Sequence, residues 1–114
     1  MTNLKERYNS VYSEFELENI LNSLSIEELN ELAHSQAKDV KKRCERFLNE
    51  KSSILLLGYG DIRLFQKKFG IPDEAKEFDL KIDQYTFRIK FNEEFEVWRV
   101  LVNFSSGVSL SYSL

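Results

Sequence analysis

Few residues in this chain have the types and spacing that could do chemistry. Leu57-Gly-Tyr-Gly-Asp61 follows an apolar stretch and precedes a helical pattern, the setting of a glycine-rich phosphate loop. The third glycine of that fingerprint belongs at position 63, which holds Arg63, so a plain turn with an aspartate cap is the expected reading. His34 and Cys44 stand ten apart on one predicted helix, about 15 Å by helix rise, too far for a nucleophile and its base. Cys44 lies on an apolar stripe and is expected in the core. The C-terminal serines match no nucleophile elbow, and their alternation is that of a solvated sheet face. With one cysteine and one histidine there is neither a disulfide framework nor a soft-ligand metal cluster. No catalytic, metal-binding or cofactor-binding residue is nominated, and the expectation is a protein that is not an enzyme.

Charge is the more informative signal. Over residues 1–37, Lys5 and Arg7 stand against seven glutamates, a local charge of −5; over residues 38–51, six bases stand against three acids, a local +3. The helix dipole accounts for part of this segregation. The remainder suits a surface that meets a basic partner, because rows of acids imitate a phosphate backbone electrostatically. Glu14, Glu18, Glu28 and Glu31 fall outside the apolar stripes and are the candidate partner-binding residues. Arg88, Lys90 and Arg99, with neighbouring serines, form an alternative binding face on the sheet, suited to nucleic acid. A net charge of −3 disfavours wholesale attraction to nucleic acid.

The elements that must position these residues are legible in the hydrophobic pattern. Val108, Leu110, Tyr112 and Leu114 alternate with serines as a half-buried strand does. If Ser105, Ser106 and Gly107 form a three-residue hairpin loop, Phe104 faces Val108, Val102 faces Leu110, and Val100 faces Tyr112. Phe95 to Phe104 is apolar on both faces and reads as central. Tyr85, Phe87, Ile89 and Phe91 form the next strand, expected to pair Ile89 with Trp98 and Phe87 with Val100 across a loop at Glu93 and Glu94. That register places Arg88 opposite Arg99. Phe78, Leu80 and Ile82 suggest a fourth strand, turning at Asp83 and Gln84.

Upstream, the spacing of Leu4, Tyr8, Val11 and Tyr12 predicts a short helix. Capping boxes at Ser13/Glu16 and Ser25/Glu28 open two more, with faces Leu17, Ile20, Leu21, Leu24 and Ile26, Leu29, Ala33, Ala37, Val40, Cys44, Phe47, Leu48. Asp61 is expected to cap a helix bearing Ile62, Phe65 and Phe69 and ended by Gly70 and Pro72. Residues 73–77 suggest one more turn, and Ile54 to Leu57 is a buried run of unassigned type. The fold class is therefore α+β: N-terminal helices packed on a C-terminal antiparallel sheet of three or four strands, as one domain spanning 1–114. No apolar leader or run of membrane-spanning length is present, so a cytoplasmic protein is expected.

The whole-chain profile of size, acidity and compactness resembles the small stand-alone proteins that phages and mobile elements encode against bacterial defence, such as anti-CRISPR inhibitors of RNA-guided nucleases. It is similar also to immunity proteins that neutralise nuclease toxins. The resemblance implies a non-catalytic inhibitor acting in a bacterial host cell, whose partner is a larger nucleic-acid enzyme with a basic guide- or DNA-binding surface. It carries no site residues over.

Overall fold

In the computed structural model, which describes residues 3–51, 55–105 and 107–114, four helices precede a four-stranded antiparallel sheet. The helices are α1 (Leu4–Asn9), α2 (Glu14–Ser23), α3 (Ile26–Glu50) and α4 (Tyr59–Phe69). The strands are β1 (Glu77–Ile82), β2 (Tyr85–Asn92), β3 (Val97–Asn103) and β4 (Ser109–Ser113), in the order β1-β2-β3-β4. This is the α+β architecture that the hydrophobic pattern implies.

Alternation puts Leu80, Ile82, Tyr85, Phe87, Ile89, Val100 and Val102 on one face of the sheet, all buried. Each contributes roughly 1.5–3 kcal/mol by leaving water. Over this face lies α3, whose Phe47 stacks on Phe104 with ring centroids 5.6 Å apart. Alongside it packs α4, buried at Asp61, Ile62, Arg63, Leu64, Phe65 and Gln66. The shorter α1 and α2 close the far side with Tyr8, Leu17 and Leu21.

The β3–β4 hairpin has the expected register, with Val102 facing Leu110 and Val100 facing Tyr112, and Gly107 takes the left-handed conformation at φ 84°. Ser106 lies outside the described residues. The β1–β2 turn also falls as expected, Ile82 facing Tyr85 and Asp83 at φ 56°.

The β2–β3 register differs from expectation by two residues: Ile89 faces Val100, Phe87 faces Val102, and Phe91 faces Trp98. Arg88 is therefore opposite Leu101, and Lys90 is opposite Arg99. The cause is local. Asn92 Oδ1 accepts the N–H groups of Glu94 and Phe95 at 3.0 and 3.3 Å, and Glu96 adopts φ 53°, so the loop holds four residues. Phe95 belongs to this loop and is 66% exposed.

Other expectations shift slightly. Ile26 is exposed, and the buried stripe of α3 turns toward Leu32 and Gln36. Ser25 and Glu28 complete both bonds of their capping box, whereas at Ser13 only the bond from Glu16 N–H, 3.1 Å, is made. Tyr12 lies past the end of α1 and is fully exposed. Asp61 is the third residue of α4 rather than its cap: Gly58 holds the cap position, and the Asp61 carboxylate reaches back to the Gly58 N–H at 3.1 Å. Within the unassigned run, Ile54 lies outside the described residues, while Leu56 and Leu57 are buried irregular chain. Residues 73–74 form a turn closed by Ala75 N–H on the Pro72 carbonyl.

Candidate functional site

Two largely buried polar networks hold the helices together, and one of them claims Glu18, a charge nominated from the sequence. In the first, Asp61 Oδ2 accepts from Arg43 Nη1 at 3.0 Å and Oδ1 accepts from Gln36 Nε2 at 3.0 Å. Gln36, wholly buried, exchanges further bonds with Asn9 at 2.9 and 3.3 Å. Arg43 also donates to the Leu56 carbonyl, and the Tyr8 hydroxyl donates to that of Gly60. Burial, with the Asp61 charge behind it, pushes the Tyr8 hydroxyl well above the ordinary phenol range.

The second network is centred on Arg63. Its Nε meets Glu18 Oε1 at 2.8 Å, its Nη1 meets Gln66 Oε1 at 2.9 Å, and its Nη2 lies 3.3 Å from Asp73 Oδ1. Burial works against the Arg63 charge, but the Glu18 bond and the charges of Glu18 and Asp73 outweigh it and raise its pKa. Neither network is written locally in the sequence, since Glu18 and Arg63 stand 45 residues apart. Gln36 did leave a signal, a polar residue in phase with the apolar stripe of α3.

The four nominated glutamates thus divide. Glu18 is bound internally by Arg63. Glu28 is exposed, yet its carboxylate is held by Ser25 N–H at 3.0 Å, which lowers its pKa. Glu14 and Glu31 are exposed and make no hydrogen bond or ion pair among the described residues. They do not share a site: Glu31 borders a hollow with Leu4 and Lys5, whereas Glu14 stands between two other clefts.

Those two clefts adjoin. One, about 320 Å³, lies between the α1–α2 junction and the start of α4, walled by Tyr8, Tyr12, Leu17 and Tyr59. The other, about 680 Å³, runs on to the sheet and is lined by Phe91, Trp98, Lys76, Glu93 and Glu96. Glu14 and Tyr59 border both. Phe91 and Trp98 pack with centroids 5.0 Å apart, and Lys76 holds its ammonium 5.9 Å over the Phe91 ring while pairing with Glu93. Partial burial, then the Glu14 charge, raises the Tyr59 hydroxyl. The clefts bring together aromatic walls and an acidic rim, a combination split across 85 residues of sequence and invisible in it.

On the opposite face of the sheet, Lys81, Arg88, Lys90 and Arg99 stand with Glu77 and Asp79, all exposed. Arg88 pairs with Asp79 at 3.3 Å. Lys90 lies between Glu77 and Arg99 in the register, and among the described residues the Arg99 side chain reaches only Ser111 Oγ, at 3.4 Å. The alternative face therefore exists as an open surface, with Arg88 already committed.

At the glycine loop, the Asp61 carboxylate occupies the helix N-terminus where a phosphate would sit, which disfavours a second anion there. Cys44 is fully buried, and burial pushes its thiol up to about 12, away from thiolate reactivity; His34 is exposed on the same helix. No group of metal-ligating side chains is found among the described residues, and no helix there is long and apolar enough to cross a membrane. Comparison with protein-family models, curated proteins and solved structures found no match.

Proposed function

We propose that this protein is a non-catalytic inhibitor that works by binding, and that it receives basic side chains of a larger, nucleic-acid-handling bacterial protein in the paired clefts around Glu14 and Tyr59. The observation that carries the reading is the join itself: Tyr12, Tyr59, Phe91 and Trp98 wall a cleft rimmed by Glu14, Glu93 and Glu96. Tyrosine and tryptophan are the residues that most often carry interface energy. A cation over an aromatic face gains about 0.5–1 kcal/mol when exposed and about 2 when desolvated, and Lys76 already occupies such a place over Phe91. Acidic rims steer a basic partner and speed its association in a salt-dependent way.

Of the four glutamates nominated from the sequence, Glu14 carries this reading, Glu31 lies apart, and Glu18 and Glu28 serve the fold. In the anti-CRISPR resemblance the partner is an RNA-guided nuclease, engaged at its guide- or DNA-binding channel. Target-DNA cleavage by purified RNA-guided nucleases, with wild-type chain and with Glu14→Lys/Tyr59→Ala, tests this directly. Inhibition is expected from wild type, weakened at least tenfold by the double substitution and unchanged by Glu31→Lys. An equally strong double variant overturns the site, and absence of inhibition across nuclease classes overturns the function. A nuclease toxin assayed in parallel decides for the immunity-protein alternative.

The second reading, direct nucleic-acid binding, rests on Lys90 and Arg99 facing each other without an ion pair among the described residues. Labelled RNA or DNA, titrated across a salt series, separates the two: binding abolished by Lys90→Ser/Arg99→Ser, and not by the Glu14 variant, favours the sheet face.

A further inference from the structure

The two edges of the sheet differ in chemistry. Along β1, Glu77, Asp79 and Lys81 alternate with apolar residues, and charge of this kind blocks the addition of another strand. The opposite edge, β4, reads Ser109-Leu110-Ser111-Tyr112-Ser113, with no charge and no proline. At either end of the β3–β4 ladder, Phe104 N–H donates to the Val108 carbonyl at 2.8 Å and Leu114 N–H donates to the Trp98 carbonyl at 2.7 Å. The even-numbered residues of β4 therefore spend their backbone groups on β3, and by alternation the N–H and C=O of Ser109, Ser111 and Ser113 point away from the sheet. Among the described residues, those outward groups meet no backbone partner.

We propose that a second copy of this chain adds its β4 antiparallel to this edge, fusing two four-stranded sheets about a two-fold axis through Ser111. The strand is complementary to itself in that arrangement. Ser111 meets Ser111 of the partner subunit, Ser109 meets Ser113 of the partner subunit, and Leu110 meets Tyr112 of the partner subunit on the core side. Leu110 and Tyr112 are half-buried in the single chain, so the pairing covers their remaining apolar surface. An isologous contact of this kind closes on itself and does not propagate into fibres. A foreign strand finds no charge on this edge to set its register, whereas the chain's own strand matches it residue for residue.

Sedimentation velocity on the full chain, from micromolar to millimolar, tests the proposal. Wild type is expected to pass from monomer to dimer with concentration. Ser111→Lys and Ser111→Glu, which set like charges across the axis, are each expected to weaken the dimer at least tenfold while the monomer stays folded, its melting temperature slightly lowered by the lysine and not by the glutamate because Arg99 lies beside position 111. Mixing the two variants restores dimerisation, because opposite charges then meet. A Lys81→Ser variant on the charged edge leaves the dimer unchanged. Wild type that stays monomeric throughout overturns the proposal, as does a dimer indifferent to both Ser111 variants or a mixture no tighter than its components.

Discussion

Buried and exposed charges in this molecule come from the same residue types and do opposite things. Between the helices, Asp61, Arg43, Arg63 and Glu18 are matched almost atom for atom with Gln36, Asn9, Gln66 and backbone carbonyls. Around the Glu14 cleft and on the outer sheet face, Glu14, Lys90 and Arg99 meet few partners in their own chain. Leaving a buried charge unpaired is strongly destabilising, whereas an exposed one costs little to leave free. Partnering, more than sign or density along the chain, thus separates the charges that fold this domain from those available to bind.

The sharpest way to break this contrast is to remove the hub. Asp61→Ala leaves Arg43, Gln36 and the Gly58 N–H without their acceptor, and breaking such a buried pair costs about 3–5 kcal/mol out of a total of about 5–15. Urea denaturation is expected to show that loss, and Asp61→Asn a smaller one, since the amide oxygen still accepts. If Asp61→Ala costs no more than Glu14→Ala, the buried network is ornamental and the contrast fails.

Next in size is Tyr112, whose hydroxyl accepts from Leu57 N–H at 2.7 Å and donates to the Leu57 carbonyl at 3.1 Å, tying the irregular chain to β4. Tyr112→Phe leaves the Leu57 groups unsatisfied at about 1–3 kcal/mol. Burial pushes this hydroxyl from 10.0 up to about 12, and burial likewise moves Cys44 from 9.0 to about 12. In both, the protonated form is favoured by folding, so their stabilisation is complete below the unfolded pKa and is lost as pH rises through the folded one. Unfolding free energy is expected to fall between pH 9 and about 12. Tyr112→Phe should flatten the upper part of that fall.

These contrasts also explain what could be read from the residues alone. The β3–β4 register was legible because strict alternation with serine makes a slip costly and Gly107 supplies the turn. The β2–β3 register was not: a shift of two keeps Phe87, Ile89, Val100 and Val102 facing inward, so hydrophobicity is indifferent. Asn92 and the left-handed Glu96 decide it. Glu18 was legible as lying off the apolar stripe, but its partner Arg63 sits on another helix, and helical periodicity says nothing of pairings between helices. The Glu14 clefts were hidden for the same reason, being assembled from α2, α4 and the ends of β2 and β3.

A smaller effect probes the open sheet face. Arg99 lies opposite Lys90, and like charges so placed destabilise by a few tenths of a kcal/mol, partly relieved here by Glu77 on the other side of Lys90. Arg99→Ala is expected to leave stability unchanged or raise it by up to about 0.5 kcal/mol in chemical denaturation at low salt. A loss above about 1 kcal/mol instead assigns Arg99 to the fold and removes the face from consideration as a binding surface.

The smallest effect tests whether exposure by itself marks a charge as available. Glu28 is exposed, but Ser25 N–H, and then the Ser25 hydroxyl, hold its carboxylate below the ordinary value of 4.5. A depressed folded pKa means that the stabilisation is complete above the unfolded value and disappears as pH falls through the folded one. In Glu28→Gln the amide oxygen still accepts from Ser25 N–H, so the capping box survives while its acid dependence goes. The variant is expected to unfold slightly more easily than wild type in neutral buffer and equally in acid below the carboxylate range, as read from denaturant midpoints in both. Its partner binding should match wild type, because this carboxylate is already spent on the helix start. Should Glu28→Gln instead weaken binding as much as Glu14→Lys does, the acids of α2 and α3 act as one surface, and a carboxylate in this domain caps a helix and meets a partner at once.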